Sequence, residues 1–153
     1  MASDFQEITA YVAESTEIAS ASACNAVQGD VNTFDLATNE GKLATLKTLN
    51  SADSLNGHEG EILDIVDCVT KPGIRKSRDP RLPNTPCTDT YLVLLDGTVL
   101  MTQSEGVANS VREIAAMFPD FGKGSLPDGC IHAAFVAKDL PNGNTIKNLV
   151  PQF

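Results

Sequence analysis

The sequence predicts a mainly β fold: an antiparallel β-barrel with one α-helix, preceded by an N-terminal arm. Three observations predict it. Asp96-Gly97 separates two apolar runs, the strongest short-range signal for a hairpin. Runs rich in β-branched residues recur between residues 61 and 150, with Gly, Pro and Asn punctuating them. One later stretch, 104–118, switches to a helical period.

Residues 1–35 are the arm, rich in Ala, Ser, Thr and Glu. Phe5, Ile8 and Val12 share a helical stripe while "EITAYVA" alternates like a strand, so both readings stay open there. Residues 36–153 form the second region. "KLATLKTLN" puts Leu43, Thr45, Lys47 and Leu49 on one side and predicts a first strand. "NGHEG" predicts a turn, and "EILDIVDCVTKPG" a second strand stopped by Pro72 and Gly73. The stretch beyond it, with Pro80, Pro83 and Pro86, predicts a long connection, which in a compact domain is functional or disordered. "TDTYLVLLDGTVLMTQ" predicts the hairpin, with a type I′ turn that needs positive φ at Asp96 and Gly97. In "SEGVANSVREIAAMF", Val107, Val111, Ile114 and Phe118 share one helix face, Ser104 is the N-cap and Pro119 closes the helix. "CIHAAFVAKDL" and "TIKNLVPQF" predict two closing strands about the turn "PNGN". The order is that of an OB-like barrel, a five-stranded Greek key that commonly binds oligonucleotides, with its third strand split into a hairpin.

At 153 residues and 42% hydrophobic content, the chain can bury one core. No run approaches the roughly 18 apolar residues of a membrane span. "MASDFQEITAY" lacks the basic and apolar regions of a secretory signal, so a cytoplasmic location is expected. Cys24, Cys68, Cys87 and Cys130 are widely spaced, without a CxxC pair, and predict reduced, unpaired thiols. Cys130 and His132, two apart on a strand, face one side and with Cys68 and Cys87 would give a Cys₃His set. The tight pairs of a structural zinc site are missing, so no metal is expected. His58 and His132 read as ordinary surface or packed histidines, and no GxSxG elbow marks a nucleophile. "GKGS" at 122–125 lacks the first half of a Walker A loop, and Glu59, Glu61, Asp64 and Asp67 read as a solvated face. The expectation is a protein without catalysis and without a cofactor.

The sharpest signal is charge. The net formal charge is −9, yet "KPGIRKSRDPR" at 71–81 holds five of the eleven Lys and Arg residues. Overall acidity argues against coating nucleic acid by bulk charge, but not against a basic groove on an acidic body. Lys71, Arg75, Lys76, Arg78 and Arg81 are therefore the candidate phosphate contacts, against the plainer reading of a solubilising loop. Tyr91, opening the third strand beside that loop, is the best candidate for base stacking, with Phe34 as a second; Phe135 reads as core.

Three segments carry a family resemblance: "LKTLNSADSLNGHEGEILDIVDCVTKPG", "CTDTYLVLLDGTVLMTQSEGVANSV" and "IHAAFVAKDLPNGNTIKNLV". Over residues 42–150 the chain resembles single-stranded DNA-binding proteins encoded in replication modules of bacterial viruses. The resemblance implies an OB-type fold and sequence-independent binding of single-stranded DNA during viral replication, in the host cytoplasm and beside replication proteins. It also departs from the bacterial relatives: "NLVPQF" ends in Phe but lacks their linker and acidic tip. Exposed barrel edges and the arm suit a homo-oligomer. Two alternatives belong to other classes: a viral oligomeric interaction protein taking a host protein or a small anionic ligand on the basic loop, and a hydrolase with an unmarked nucleophile.

Overall fold

The computed structural model describes residues 30–123 and 126–152. Most of the arm, with Cys24, and the terminal Phe153 lie outside them. Eight elements follow in order: α1 (Asn39–Asn50), β1 (Asp53–Ser54), β2 (Ile62–Arg75), β3 (Thr85–Leu94), β4 (Val99–Thr102), α2 (Glu105–Met117), β5 (Ile131–Asp139) and β6 (Thr145–Pro151). The strands make one sheet in the order β1-β4-β3-β2-β5-β6, curled into a half-barrel. Only the two-residue β1 pairs in parallel, with β4; the other pairings are antiparallel.

The hydrophobic pattern sets which face of the sheet is covered. Leu63 and Ile65 of β2 point into the same core as Cys68, although their parity differs. A bulge between Ile65 and Asp67 inserts one residue and flips the alternation. The inner face gathers Leu92, Leu100, Ile131, Ala133, Phe135 and Leu149 against Val107, Val111 and Ile114 of α2. α2 is capped by Ser104, whose hydroxyl accepts from Val107 N, as its sequence predicts. It lies close along β6: a Cβ on Gly106 would run into the Lys147 carbonyl, and Ser110 Oγ accepts from Leu149 N. The opposite face carries a smaller cluster of Val69, Tyr91 and Val99 under Phe34 and Leu49. Residues 31–34 run beside β2, with Thr70 N donating to Val31 O and Thr33 N to Cys68 O.

Three sequence expectations are corrected. "KLATLKTLN" is the helix α1, not a strand. Thr38 caps it by accepting from Gly41 N, Glu40 and Lys47 suit its two ends, and the buried side follows Gly41, Ala44, Thr45, Thr48 and Leu49. Pro72 and Gly73 do not stop β2, which runs on to Arg75. Beyond Val66, β2 has a full strand partner only in β3, so Pro72 forfeits no ladder bond on the other side. A Cβ on Gly73 would meet the Asp89 carboxylate. The hairpin stands, but its loop has three residues, Leu95-Asp96-Gly97, and not the two of a type I′ turn. Gly97 N donates to Leu94 O, Leu94 N to Thr98 O, and Gly97 has φ +91°. Asp96 Oδ1 accepts from Thr98 N instead.

Candidate nucleic-acid interface

The basic stretch divides between the end of β2 and the connection 76–84. Lys71, Gly73 and Arg75 alternate on the face opposite α2, because strand side chains repeat every second residue. Lys71 Nζ lies 3.6 Å from Asp89 Oδ2, and Gln103 Nε2 donates to Asp89 Oδ1 at 3.0 Å. Arg75 Nη2 donates to the Gln103 carbonyl, which aims its guanidinium along the rim of β4. The connection is ordered by its own polar groups. Ser77 N donates to Asn84 Oδ1 at 2.9 Å, Ser77 Oγ to Asp79 O, and Leu82 N to Asp79 O.

Arg81 is tied back by two bonds of 3.1 Å, from Nε to Asp79 Oδ1 and from Nη2 to Oδ2. That contact holds the Asp79 carboxyl below its usual range. Lys76 and Arg78, in contrast, have no ion-pair or hydrogen-bond partner among the described residues. No described residue neutralises their charge.

These side chains border a cleft of about 1080 Å³. Arg75, Lys76, Arg78 and Leu82 line one wall. Asn144, Thr145 and Lys147, from the β5–β6 turn and the start of β6, line another, and Asn56 and Gln103–Glu105 form the floor. The curl of the sheet brings its two ends together here: Lys147 Nζ donates to Asn56 Oδ1 at 3.0 Å. Four bases and one acid, Glu105, border the cleft, and the Glu105 carboxylate already accepts from Thr88 N at 2.9 Å.

The structure brings Arg75, Lys76 and Arg78 into this cleft and leaves Lys71, Arg81, Tyr91 and Phe34 off its lining. Tyr91, expected to stack bases, is only 7% exposed and packs with Val69 and Val99, and Phe34 is half-buried against the same cluster. The helical reading of 42–50 accounts for this, because α1 supplies Leu49 over the ring. Sequence reasoning missed Lys147 and Asn56. They lie 91 residues apart in the chain, and no local pattern joins them.

Among the described residues, Cys68, Cys87 and Cys130 do not gather at one site. Cys68 is in the inner core, where burial pushes its thiol well up, and Cys87 sits on the opposite face beside Asp89, with its Sγ 3.8 Å from Oδ1. Cys68, Cys87 and Cys130 are all free thiols. Cys130 neighbours His132 and Asp64. Among the described residues no helix is long and apolar enough to cross a membrane. No family model, curated protein or solved structure matches this chain.

Proposed function

We propose that this protein binds single-stranded DNA without catalysis and without sequence preference, as a component of viral DNA replication. The sugar-phosphate backbone lies in the cleft between the 76–84 connection and the β5–β6 turn. The observation that carries the reading is the placement of unspent positive charge. Lys76 and Arg78, without a partner among the described residues, stand beside Arg75 and Lys147 in one cleft of a chain whose net charge is −9. A phosphate chain is drawn to such a place and repelled elsewhere.

The strand order supports an OB-like barrel. With "KLATLKTLN" a helix, β2 to β6 are five strands, α2 falls between the third and the fourth, and no strand need be split. OB-folds bind oligonucleotides with the loops joining strands one to two and four to five, which here are 76–84 and 140–144. Both border the cleft. Among the described residues that line the cleft, none is aromatic. Affinity therefore rests on phosphate contacts, and base stacking contributes little. The same reading implies replication proteins as partners and the host cytoplasm as the site of action.

Competition binding with labelled oligo-dT tests it. Unlabelled single strands of different sequence should compete equally and duplex poorly. Lys147→Ala should weaken binding to all single strands alike, because phosphate contacts carry no base information. Equal competition by a compact anion such as a free nucleotide would favour a small-ligand site instead.

A further inference from the structure

We propose that Asp64, Cys130 and His132 form a binding site for a borderline-soft divalent cation, zinc above all, on the sheet face opposite α2. The site stands apart from the basic cleft, and it reverses the expectation of metal-free thiols drawn from the sequence. Register assembles it. Asp64 of β2 stands directly across from His132 of β5, and Cys130 precedes His132 by two residues. His132 Nδ1 lies 2.6 Å from Asp64 Oδ1 and 3.9 Å from Cys130 Sγ. The three donor atoms all fall within 4.8 Å of one another.

Zinc takes carboxylate oxygen and imidazole nitrogen at about 2.0–2.2 Å and thiolate sulfur at about 2.3 Å. Around a tetrahedral ion, two such donors stand roughly 3.3–3.7 Å apart. The sulfur–nitrogen spacing is already near this range. The Asp64 carboxylate has to withdraw by under about 1 Å, and it is half exposed and free to do so.

The second argument lies on the far side of the ring. Asp128 Oδ2 is 2.8 Å from His132 Nε2. Asp128 accepts from Nε2–H; Nδ1, which in the metal-free protein faces Asp64 Oδ1 and shares a proton with it, would release that proton on binding the ion and turn its lone pair to the metal between Asp64 and Cys130. This is the arrangement that orients metal-binding histidines. Sulfur, nitrogen and oxygen together select zinc-like ions over calcium or magnesium, which take oxygen ligands. Phe118, Leu126, Pro127 and Gln152 wall a cleft of about 270 Å³ next to Cys130 and His132, with room for a water as fourth ligand. The ion would clamp β2 to β5 and, through Asp128, to the connection that follows α2.

Cobalt(II) titration of the full-length reduced protein tests the proposal. The expected result is one cobalt per chain, with thiolate-to-cobalt charge-transfer absorption in the near ultraviolet, displaced by one equivalent of zinc. Cys130→Ser should abolish the band and Cys87→Ser should leave it. His132→Gln and Asp64→Asn should each weaken binding by about tenfold or more, and Asp128→Asn by about 10- to 100-fold. Cys130 is buried, so circular dichroism must show that its variant folds. If it does not, the surface variants His132→Gln and Asp64→Asn decide. Absence of the band in the parent protein, or unchanged cobalt affinity in both of those variants, overturns the site.

Discussion

Thr90 is fully buried, and its Oγ1 finds no hydrogen-bond partner among the described residues. A hydroxyl in that position costs free energy, because water's hydrogen bonds are lost and not replaced. Thr90→Val keeps the shape and removes the cost, so it should stabilise the protein by about 1 kcal/mol. Urea unfolding checks this, with a raised midpoint at unchanged slope as the expected outcome. Asp67 is a second case. Burial raises its pKa from 3.8, and the hydrogen bond from Thr33 Oγ1 at 2.7 Å opposes that rise. Its folded pKa lies above the unfolded one, so its contribution to stability falls as pH climbs from about 3.8 through the folded value. Thr33→Val removes a donor to the ionised form and pushes the pKa further up. The variant should lose more stability at pH 7 than at pH 3, measured by denaturant unfolding at both; an equal loss would mean that the hydroxyl does not serve the carboxylate.

At the scale of elements, local chemistry decides what the sequence reveals. α2 was legible because its cap, its period and its terminating proline agree. The two closing strands and the hairpin were legible for similar reasons. "KLATLKTLN" satisfies both periods, so α1 reads as a strand: alternate positions hold Leu43, Thr45, Lys47 and Leu49, while Ala44, Thr45, Thr48 and Leu49 follow the buried side of a helix. Thr38 and the Leu, Ala and Lys content were the signals for helix. The bulge in β2 is only faintly marked in the sequence: the apolar pair Ile65-Val66 breaks the alternation of "DIVDCV", but such a pair does not by itself announce an inserted residue. The turn shows how a sound signal misses detail. Asp-Gly marks a hairpin, but the register of β3 with β4 fixed a three-residue loop in which Gly97 takes the left-handed conformation. Nothing would crowd a Cβ there, so strain alone sets the cost of substitution. Gly97→Val should destabilise by about 1 kcal/mol or more, and Gly97→Asn by less, since Asn tolerates that conformation. Thermal unfolding of the pair checks the ordering.

Over the whole molecule, the sheet's curl makes the candidate interface. The run at 71–81 was legible as charge, yet charge alone does not tell a solvated loop from a groove. Folding sorts the five bases. Arg81 is spent on Asp79 and Lys71 on Asp89, while Arg75, Lys76 and Arg78 reach the cleft, where Lys147 joins them from the other end of the sheet. Tyr91 reads as a stacking candidate in the sequence, but the fold covers it with Phe34 and Leu49.

The most direct measurement is the salt dependence of oligo-dT binding. Each phosphate neutralised on a single strand lowers log K by about 0.7 per unit of log salt. Contacts from Arg75, Lys76, Arg78 and Lys147 give a predicted slope of roughly −2 to −3 for the parent protein. Replacing Arg75, Lys76 and Arg78 together by Ala should flatten it by about 2 units. Folding should hardly change, because exposed charges add little stability. A triple variant that binds single strands as tightly as the parent, with the same slope, would contradict the account and leave 71–81 as a solubilising surface.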